Sequence, residues 1–334
     1  MATPSDPEVQ AAAGDADAQF ALGTRLIAQA DTFGKFEQAA ALIEDSASRG
    51  HAEATCTLAT LAAVGAGRPR DWSRALDHLQ LAAELGSEHA RGQLRLLAGA
   101  SRSSSDEGQA DDDWRGARGR IDIDRLLHPP DPVALSDTPR LRLFRGFARP
   151  DECRWMIDRL GPKLHPAQVW DLDSGEGVVD PYRSNTAAEL PLLDMDVVIA
   201  LLKARISAAT RLPEFIFEVP QIMRYAVGEE FRPHHDFLDP EKPGFAVDFA
   251  RRGQRMGTFL IYLNDDFEGG ETEFPKAGIA FRGAIGDGLF FANVTRDGRP
   301  DPLTLHAGRP PTRGEKWILS QWIRDRPPAA AREA

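Results

Sequence analysis

Along the first hundred residues, apolar positions recur at helical spacing, and a longer beat is laid over them. Gly14, Gly50 and Gly86 stand 36 residues apart, and Ala18, Ala54 and Ala90 keep the same register, as do Leu22, Leu58 and Leu94. In the second half of each unit, Ala39 matches Ala75, Ile43 matches Leu79 and Ala47 matches Ala83. Each unit predicts a small-residue-rich helix, a glycine turn and a second alanine-rich helix ending at a glycine stop. Alanine at fixed positions lets paired helices approach closely, and such units bury their faces only by stacking on neighbours. The expectation is an all-α helical-repeat solenoid over residues 10–98.

Beyond residue 120 the pattern changes. Apolar runs shorten, β-branched and aromatic residues alternate, and Gly, Pro and Asp punctuate the chain about every 8–15 residues. Strands are predicted at 141–145, 215–225, 230–237, 256–264, 279–282, 287–293, 302–306 and 315–324, with helices at 150–160 and 192–210. Many short strands separated by turns predict a closed or double-sheet β architecture with flanking helices. The chain is therefore read as multidomain, its second domain spanning 121–326. Between the two, residues 99–120 are Ser/Gly/Asp-rich and read as a flexible linker, in which Trp114 is free to dock onto one of the domains. Residues 327–334 read as a disordered tail.

Composition narrows the class. A chain of 334 residues can bury two sizeable cores, and 42% apolar with 27% charged residues is ordinary for a soluble globular protein. No apolar run is long enough to cross a membrane, and the acidic amino terminus does not read as a secretory signal. Cys56 and Cys153 form no metal or disulfide pattern and read as reduced, buried small hydrophobes, so a cytoplasmic location is expected. The net charge of −11 comes with no dominant basic patch, and no nucleic-acid partner is expected.

The candidate chemistry begins at His234-His235-Asp236. On a strand, side chains at i and i+2 share a face while i+1 points away, so His234 and Asp236 can grip one ion and His235 cannot join them. Two histidines and one carboxylate form the facial triad of non-haem Fe(II) oxygenases. The pair alone is a weak signal, because an acid-rich chain produces one easily. Downstream, His306 offers a third ligand and Lys316 follows it by ten residues. On the strand 315–324, Lys316, Ser320 and Trp322 share a face, and Thr258 and Tyr262 share one on 256–264.

The segments YAVGEEFRPHHD, RMGTFLIYLNDDFEGGETEF, GDGLFF and LHAGRPPTRGEKWILSQWIR, in this order, resemble the prolyl 4-hydroxylase-like family of 2-oxoglutarate-dependent dioxygenases over about residues 140–326. The resemblance implies a double-stranded β-helix (jelly roll). It also implies Fe(II) held by His234, Asp236 and His306, with O2 as co-substrate and ascorbate as an accessory reductant. It places Tyr225, Thr258, Tyr262, Lys316 and Ser320 around 2-oxoglutarate, with Ser320 standing where the family more often has Thr. Arg183, Phe231, Arg255 and Trp322 would border the substrate, and Phe231 replaces the family's usual tyrosine. The loop 238–254 is the natural candidate for a mobile lid. The GGET turn at 269–272 reads as architecture. The implied reaction converts 2-oxoglutarate to succinate and CO2 while hydroxylating a C–H bond, most naturally of a prolyl residue in a peptide or protein. A free amino acid or metabolite is the alternative target, and a non-catalytic scaffold with a degenerate oxygenase fold is the second. Residues 10–98 resemble Sel1-like repeats, which implies an interaction partner or recruitment of the target through the helices.

Overall fold

The computed structural model describes residues 7–29, 33–99, 113–170, 177–178, 182–239 and 241–327. Two compact units result, Met1–Leu127 with Leu192–Lys203, and His128–Pro191 with Ala204–Ala334.

The first unit is helical: α1 (Pro7–Ala12), α2 (Ala16–Ala28), α3 (Phe33–Ser48), α4 (Ala52–Val64), α5 (Trp72–Glu84) and α6 (Glu88–Leu97) pack each on its sequence neighbour. The 36-residue register is visible in the caps. Asp15, His51 and Ser87 each accept the amide proton of the residue three further on, Ala18, Ala54 and Ala90. These contacts satisfy an amide that the first helical turn leaves without a partner. The preceding Gly14, Gly50 and Gly86 adopt φ of 87°, 86° and 102°, a left-handed conformation that glycine takes without strain. Ala54, Ala90, Ala39, Ala75, Ile43 and Leu79 are fully buried, as the repeat register requires.

The linker expectation meets structure at its carboxy-terminal end. Residues 100–112 lie outside the described residues, but Trp114–Gly119 form a helix (α7) capped by the Asp113 carboxylate. Trp114 is buried, with the guanidinium carbons of Arg91 and Arg95 5.6 and 4.9 Å from its ring. A buried indole between two cations holds this stretch in place. A short helix, α8 (Ile123–Leu127), follows. The tail expected over 327–334 lies outside the described residues from 328 onward.

The second unit is built on antiparallel sheets. The larger runs β1 (Val133–Asp137), β2 (Arg140–Phe144), β13 (Gly288–Ala292), β9 (Arg255–Tyr262), β16 (Lys316–Arg324), β7 (Gln221–Tyr225), β6 (Thr186–Glu189) and β3 (His165–Pro166). The smaller runs β12 (Ile279–Phe281), β11 (Thr272–Phe274), β14 (His306–Gly308) and β8 (Phe231–His234). Two short ribbons complete the set, β4 (Val169–Trp170) with β5 (Gly177–Val178), and β10 (Glu268–Gly269) with β15 (Pro311–Arg313). Met223, Tyr225, Leu260, Tyr262, Leu289 and Ile318 of the larger sheet share one core with Phe274 of the smaller, against which Phe231, Ile279 and Phe281 pack. Two antiparallel sheets enclosing one core make the expected double-sheet domain.

Several local expectations are corrected. Residues 302–304 are a 3-10 turn, because the Asp301 carboxylate caps the Leu303 amide, and the strand begins only at His306. The strand expected over 215–225 starts at Gln221, after a 3-10 turn at Glu214–Ile216. The helix expected over 192–210 begins at Val197 (α10, Val197–Thr210). The 238–254 segment contains a helix, α11 (Pro243–Arg252), tethered by Asp248 to Arg324 at 2.7 Å. Helix α9 (Pro150–Leu160) falls where expected.

Candidate active site

Strand pairing assembles the site. In the smaller sheet His306 lies directly opposite His234, so two imidazoles 72 positions apart in the chain become neighbours, with ring centroids 4.3 Å apart. Asp236 lies two residues beyond the end of β8. Its carboxylate oxygens lie 3.6 Å from His234 Nε2 and 3.7 Å from His306 Nε2. The three side chains each bring a donor atom within 4.8 Å of the others. His235 turns away, its ring against Phe237 and its Nε2 toward the Pro302 carbonyl.

The histidine tautomers follow from the backbone. His234 Nδ1 faces the Arg232 carbonyl at 2.8 Å, and His306 Nδ1 faces the Thr304 carbonyl at 3.0 Å. A carbonyl only accepts, so each Nδ1 carries a proton, which leaves Nε2, on the side of Asp236, as the nitrogen that could ligate a metal. Burial, reinforced by the neighbouring His306, lowers the His234 pKa to about 3, so the ring is neutral at physiological pH. Burial pushes the Asp236 carboxyl upward, but the two imidazoles, the Thr258 hydroxyl and Arg255 bring it below the usual carboxylate range. Two imidazoles and one carboxylate are a donor set that fits a divalent iron.

The second half of the site comes from the larger sheet. Lys316 pairs in register with Tyr225, and the inward positions Lys316, Ile318, Ser320 and Trp322 line one pocket with His234, Asp236 and His306. Lys316 is fully buried and forms no ion pair among the described residues. Its Nζ lies 3.4 Å from Thr272 Oγ1 and 5.3 and 5.6 Å from the Tyr225 and Tyr262 ring centroids. Desolvation lowers its pKa to about 7, opposed by the charge of Glu271. A buried cation facing a pocket without a counter-ion is a receptor for an anion, and it fits the distal carboxylate of 2-oxoglutarate. Burial pushes the Tyr225 phenol up to about 12 and the Tyr262 phenol higher still, so both remain neutral hydrogen-bonding groups.

The other expected residues fall in three places. Ser320 is buried at the pocket wall, on the same face of β16 as Lys316 with Ile318 between them. Tyr262 reaches Thr272 with its hydroxyl at 2.8 Å, so it supports the lysine's neighbour. Thr258 donates to Asp236 Oδ2 at 2.6 Å, which puts it on the metal side of the pocket. Phe231 stacks on His234 with centroids 3.6 Å apart, and the buried Arg183 lies over the other part of that stack, 4.9 Å from the Phe231 ring. Arg183 also donates to Asn185 and Gln221, and desolvation lowers its pKa. Arg255 is engaged rather than free. It makes a two-point contact with buried Glu218 at 2.6 and 3.1 Å and lies 4.0 Å over the Trp322 ring. Glu218 also pairs with Arg324 at 2.6 Å, so this cluster braces the strand carrying Trp322.

Thr272, Asn293 and Glu218 were missed by sequence reasoning. The segment that reads as a plain turn is indeed tight, since Gly270 has φ of 68° and a Cβ there would meet the Phe267 ring at 3.0 Å. Yet the turn delivers Thr272 into the pocket. The alternation Thr272, Phe274 after the turn was the available signal.

Comparison with known proteins gives the family. Residues 220–324 match the 2OG-Fe(II) oxygenase superfamily. Prolyl 4-hydroxylase 1 of Arabidopsis thaliana is 30% identical over 264 residues, covering 70% of this chain and 92% of that protein. Probable prolyl 4-hydroxylase 6 of the same plant is 35% identical over 208 residues, covering 57% and 70%. Among solved structures, the viral collagen prolyl hydroxylase of Paramecium Bursaria Chlorella virus-1 in its 2OG complex aligns with a TM-score of 0.43 and 26% identity, over 57% of this chain and 98% of that one. Fe(II), 2-oxoglutarate and O2 are the cofactor and co-substrates of this superfamily. The chain belongs to the prolyl 4-hydroxylase-like family of 2OG-Fe(II) oxygenases and is a 2-oxoglutarate-dependent dioxygenase.

Proposed function

We propose that this dioxygenase hydroxylates a prolyl residue of a peptide or protein, with His234, Asp236 and His306 holding Fe(II) and Lys316 holding 2-oxoglutarate. The observation that carries the reading is the convergence of those four side chains on one pocket from two different sheets. Iron, when bound, couples decarboxylation of 2-oxoglutarate to succinate with insertion of oxygen into a substrate C–H bond. The protein's part is positional. Backbone carbonyls orient the two imidazoles, Lys316 and Thr272 receive the distal carboxylate with Tyr225 beside them, Ser320 lines the same pocket further along β16, and apolar Leu260, Ile318 and Met223 exclude water. Trp322 and Phe231 form the walls toward the substrate, Arg255 holding Trp322 and Arg183 backing Phe231.

The helical unit is read as Sel1-like repeats that recruit the protein target, supported by its caps and by a groove of about 400 Å³ lined by Phe36, Leu58, Leu61, Arg68 and Arg74. Ascorbate serves as accessory reductant, and the two buried thiols suit the cytoplasm. Among the described residues no helix is long and apolar enough to cross a membrane.

The test is product analysis. The full chain, incubated with Fe(II), 2-oxoglutarate and proline-containing peptides, forms succinate in step with a peptide gaining one oxygen on proline. Stoichiometric succinate with a free amino acid but no peptide would replace the peptide reading with a small-molecule one. For recruitment, Arg68→Glu with Arg74→Glu raises KM for a full-length protein target and leaves turnover of a short peptide unchanged. An unchanged KM for the full-length target would remove the recruitment idea.

A further inference from the structure

The polar groups behind the metal centre form a directed chain. Thr258 is buried on β9 and its hydroxyl lies 2.6 Å from Asp236 Oδ2. Asn293 follows β13, is fully buried, and places Nδ2 3.0 Å from Thr258 Oγ1. β13 and β9 are adjacent strands, with Ala292 opposite Gly257, so the sheet register itself sets this contact. A hydroxyl has one proton. A carboxylate only accepts, so the Thr258 proton goes to Asp236, and Thr258 is left to accept from its other neighbour. That neighbour must donate, which fixes the Asn293 amide with its NH2 toward Thr258. The chain therefore runs one way, Asn293 N–H to Thr258 O–H to Asp236. Each bond polarises the next, and the charged end strengthens both.

The orientation has a cost that the molecule accepts. Asn293 Oδ1 is buried without a hydrogen-bond partner among the described residues. An orphaned buried carbonyl is rarely retained without a compensating role. The backbone of Asn293 is also pinned, its amide donating to the Met256 carbonyl at 2.9 Å and its carbonyl accepting from Asp301 at 3.0 Å. The side chain is thus held in place from both ends of its own residue.

We infer that Asn293 is a positioning residue for the metal centre, acting through Thr258 to hold Oδ2 of Asp236 and so present Asp236 to the metal through its other oxygen. This rests on the reading of His234, Asp236 and His306 as the ligand set. It goes beyond it by assigning work to two residues that do not contact the metal. Asp236 Oδ1 receives no protein donor among the described residues. The Thr258 hydroxyl engages one lone pair of Oδ2 and leaves Oδ1 the freer oxygen, which favours single-oxygen binding and open positions for co-substrates.

The experiment measures metal affinity in the full chain, in the absence of 2-oxoglutarate and of turnover. Co(II) is titrated anaerobically and followed by its d–d absorption, for wild type, Asn293→Ala, Thr258→Val, Thr258→Ser and the double variant Asn293→Ala/Thr258→Val. Loss of an outer-shell partner lowers affinity about 10–100-fold. Asn293→Ala is expected to weaken Co(II) about tenfold and Thr258→Val at least as much, while Thr258→Ser, which keeps the hydroxyl, stays near wild type. The double variant is expected to match Thr258→Val alone, because the Asn293 contribution passes through that hydroxyl. Melting temperatures of the apo forms report folding separately. If Asn293→Ala does not fold, Asn293→Leu fills the space and takes its place, and if neither folds, Thr258→Val against Thr258→Ser decides whether the hydroxyl chain acts on the metal. Wild-type affinity in a folded Asn293 variant, wild-type affinity in Thr258→Val, or losses that multiply in the double variant would each overturn the inference. A wild-type chain that fails to bind Co(II) would instead overturn the ligand assignment beneath it.

Discussion

The proposed role of Lys316 as the anchor of 2-oxoglutarate makes the affinity for that ligand depend on pH in one direction. Its ammonium is fully buried, and desolvation takes the pKa from 10.5 down to about 7. At about 1.36 kcal/mol per pKa unit, this fall corresponds to about 5 kcal/mol of disfavoured charge. A dianionic ligand supplies the missing counter-charge and draws the pKa back up, so binding above pH 7 takes up a proton. With Lys316 charged in the complex and half charged in the free protein at pH 7, raising the pH to 8.5 weakens 2-oxoglutarate binding about 15-fold. His234, lowered to about 3, does not titrate in this window. The assay is isothermal titration calorimetry of the Co(II)-loaded chain in buffers of different ionisation enthalpy, which reports both Kd and protons taken up. Lys316→Arg supplies the control, because a guanidinium stays charged and flattens the profile. A wild-type Kd that stays within about twofold from pH 7 to 8.5, with no proton uptake, would refute the reasoning.

Three further outcomes follow from the same contacts. Lys316→Met loses 2-oxoglutarate affinity by about 2–5 kcal/mol yet melts higher than wild type in the apo form, since it removes a buried, unpaired cation. Because the folded pKa is depressed, the burden of that cation is full below about pH 7 and lifts as pH rises toward 10.5, so the melting advantage is greatest at acid pH and fades in alkali. Thr272→Val removes the hydroxyl 3.4 Å from Lys316 and weakens 2-oxoglutarate by about 1.5–3 kcal/mol while Co(II) affinity holds, which titrations of each ligand distinguish. Glu218→Gln takes away the carboxylate that meets both Arg255 and Arg324, leaving Arg324 its contact with Asp248, and destabilises the chain by about 1.5–3 kcal/mol in urea unfolding; a loss below about 1 kcal/mol would show that the cluster does not brace the site.

The proposed metal ligands were legible because a spacing of two puts His234 and Asp236 on one side, although β8 ends at His234 and Asp236 lies beyond it. Period two alone selects His234 and Asp236 over His235, and the structure sends the His235 ring to Phe237 and Pro302. Alternation likewise placed Lys316, Ser320 and Trp322 on the pocket face of β16. The 36-residue register was legible for the same kind of reason, since the cap, the glycine and the buried alanine recur at fixed offsets. What could not be read depends on which strands become neighbours. Asn293 matters because β13 pairs with β9, and Thr272 because β11 faces Lys316 across the core. Arg255 looks like a free substrate-facing cation until Glu218, 37 positions earlier, folds against it. Pairing of this range is set by tertiary packing, which local propensity does not encode.

His234, Asp236 and His306 are proposed to hold Fe(II) while Lys316, on the other sheet, secures 2-oxoglutarate beside it. Anaerobic addition of Fe(II) and 2-oxoglutarate to the full chain tests both halves in one spectrum, through the visible charge-transfer absorption of an iron-bound 2-oxoacid. The band is expected in wild type, to be lost together with iron binding in Asp236→Ala, and to be lost with iron retained in Lys316→Met at 2-oxoglutarate concentrations that saturate wild type. A wild-type chain that binds iron but shows no band, or an Asp236→Ala chain that keeps the band, would contradict that assignment.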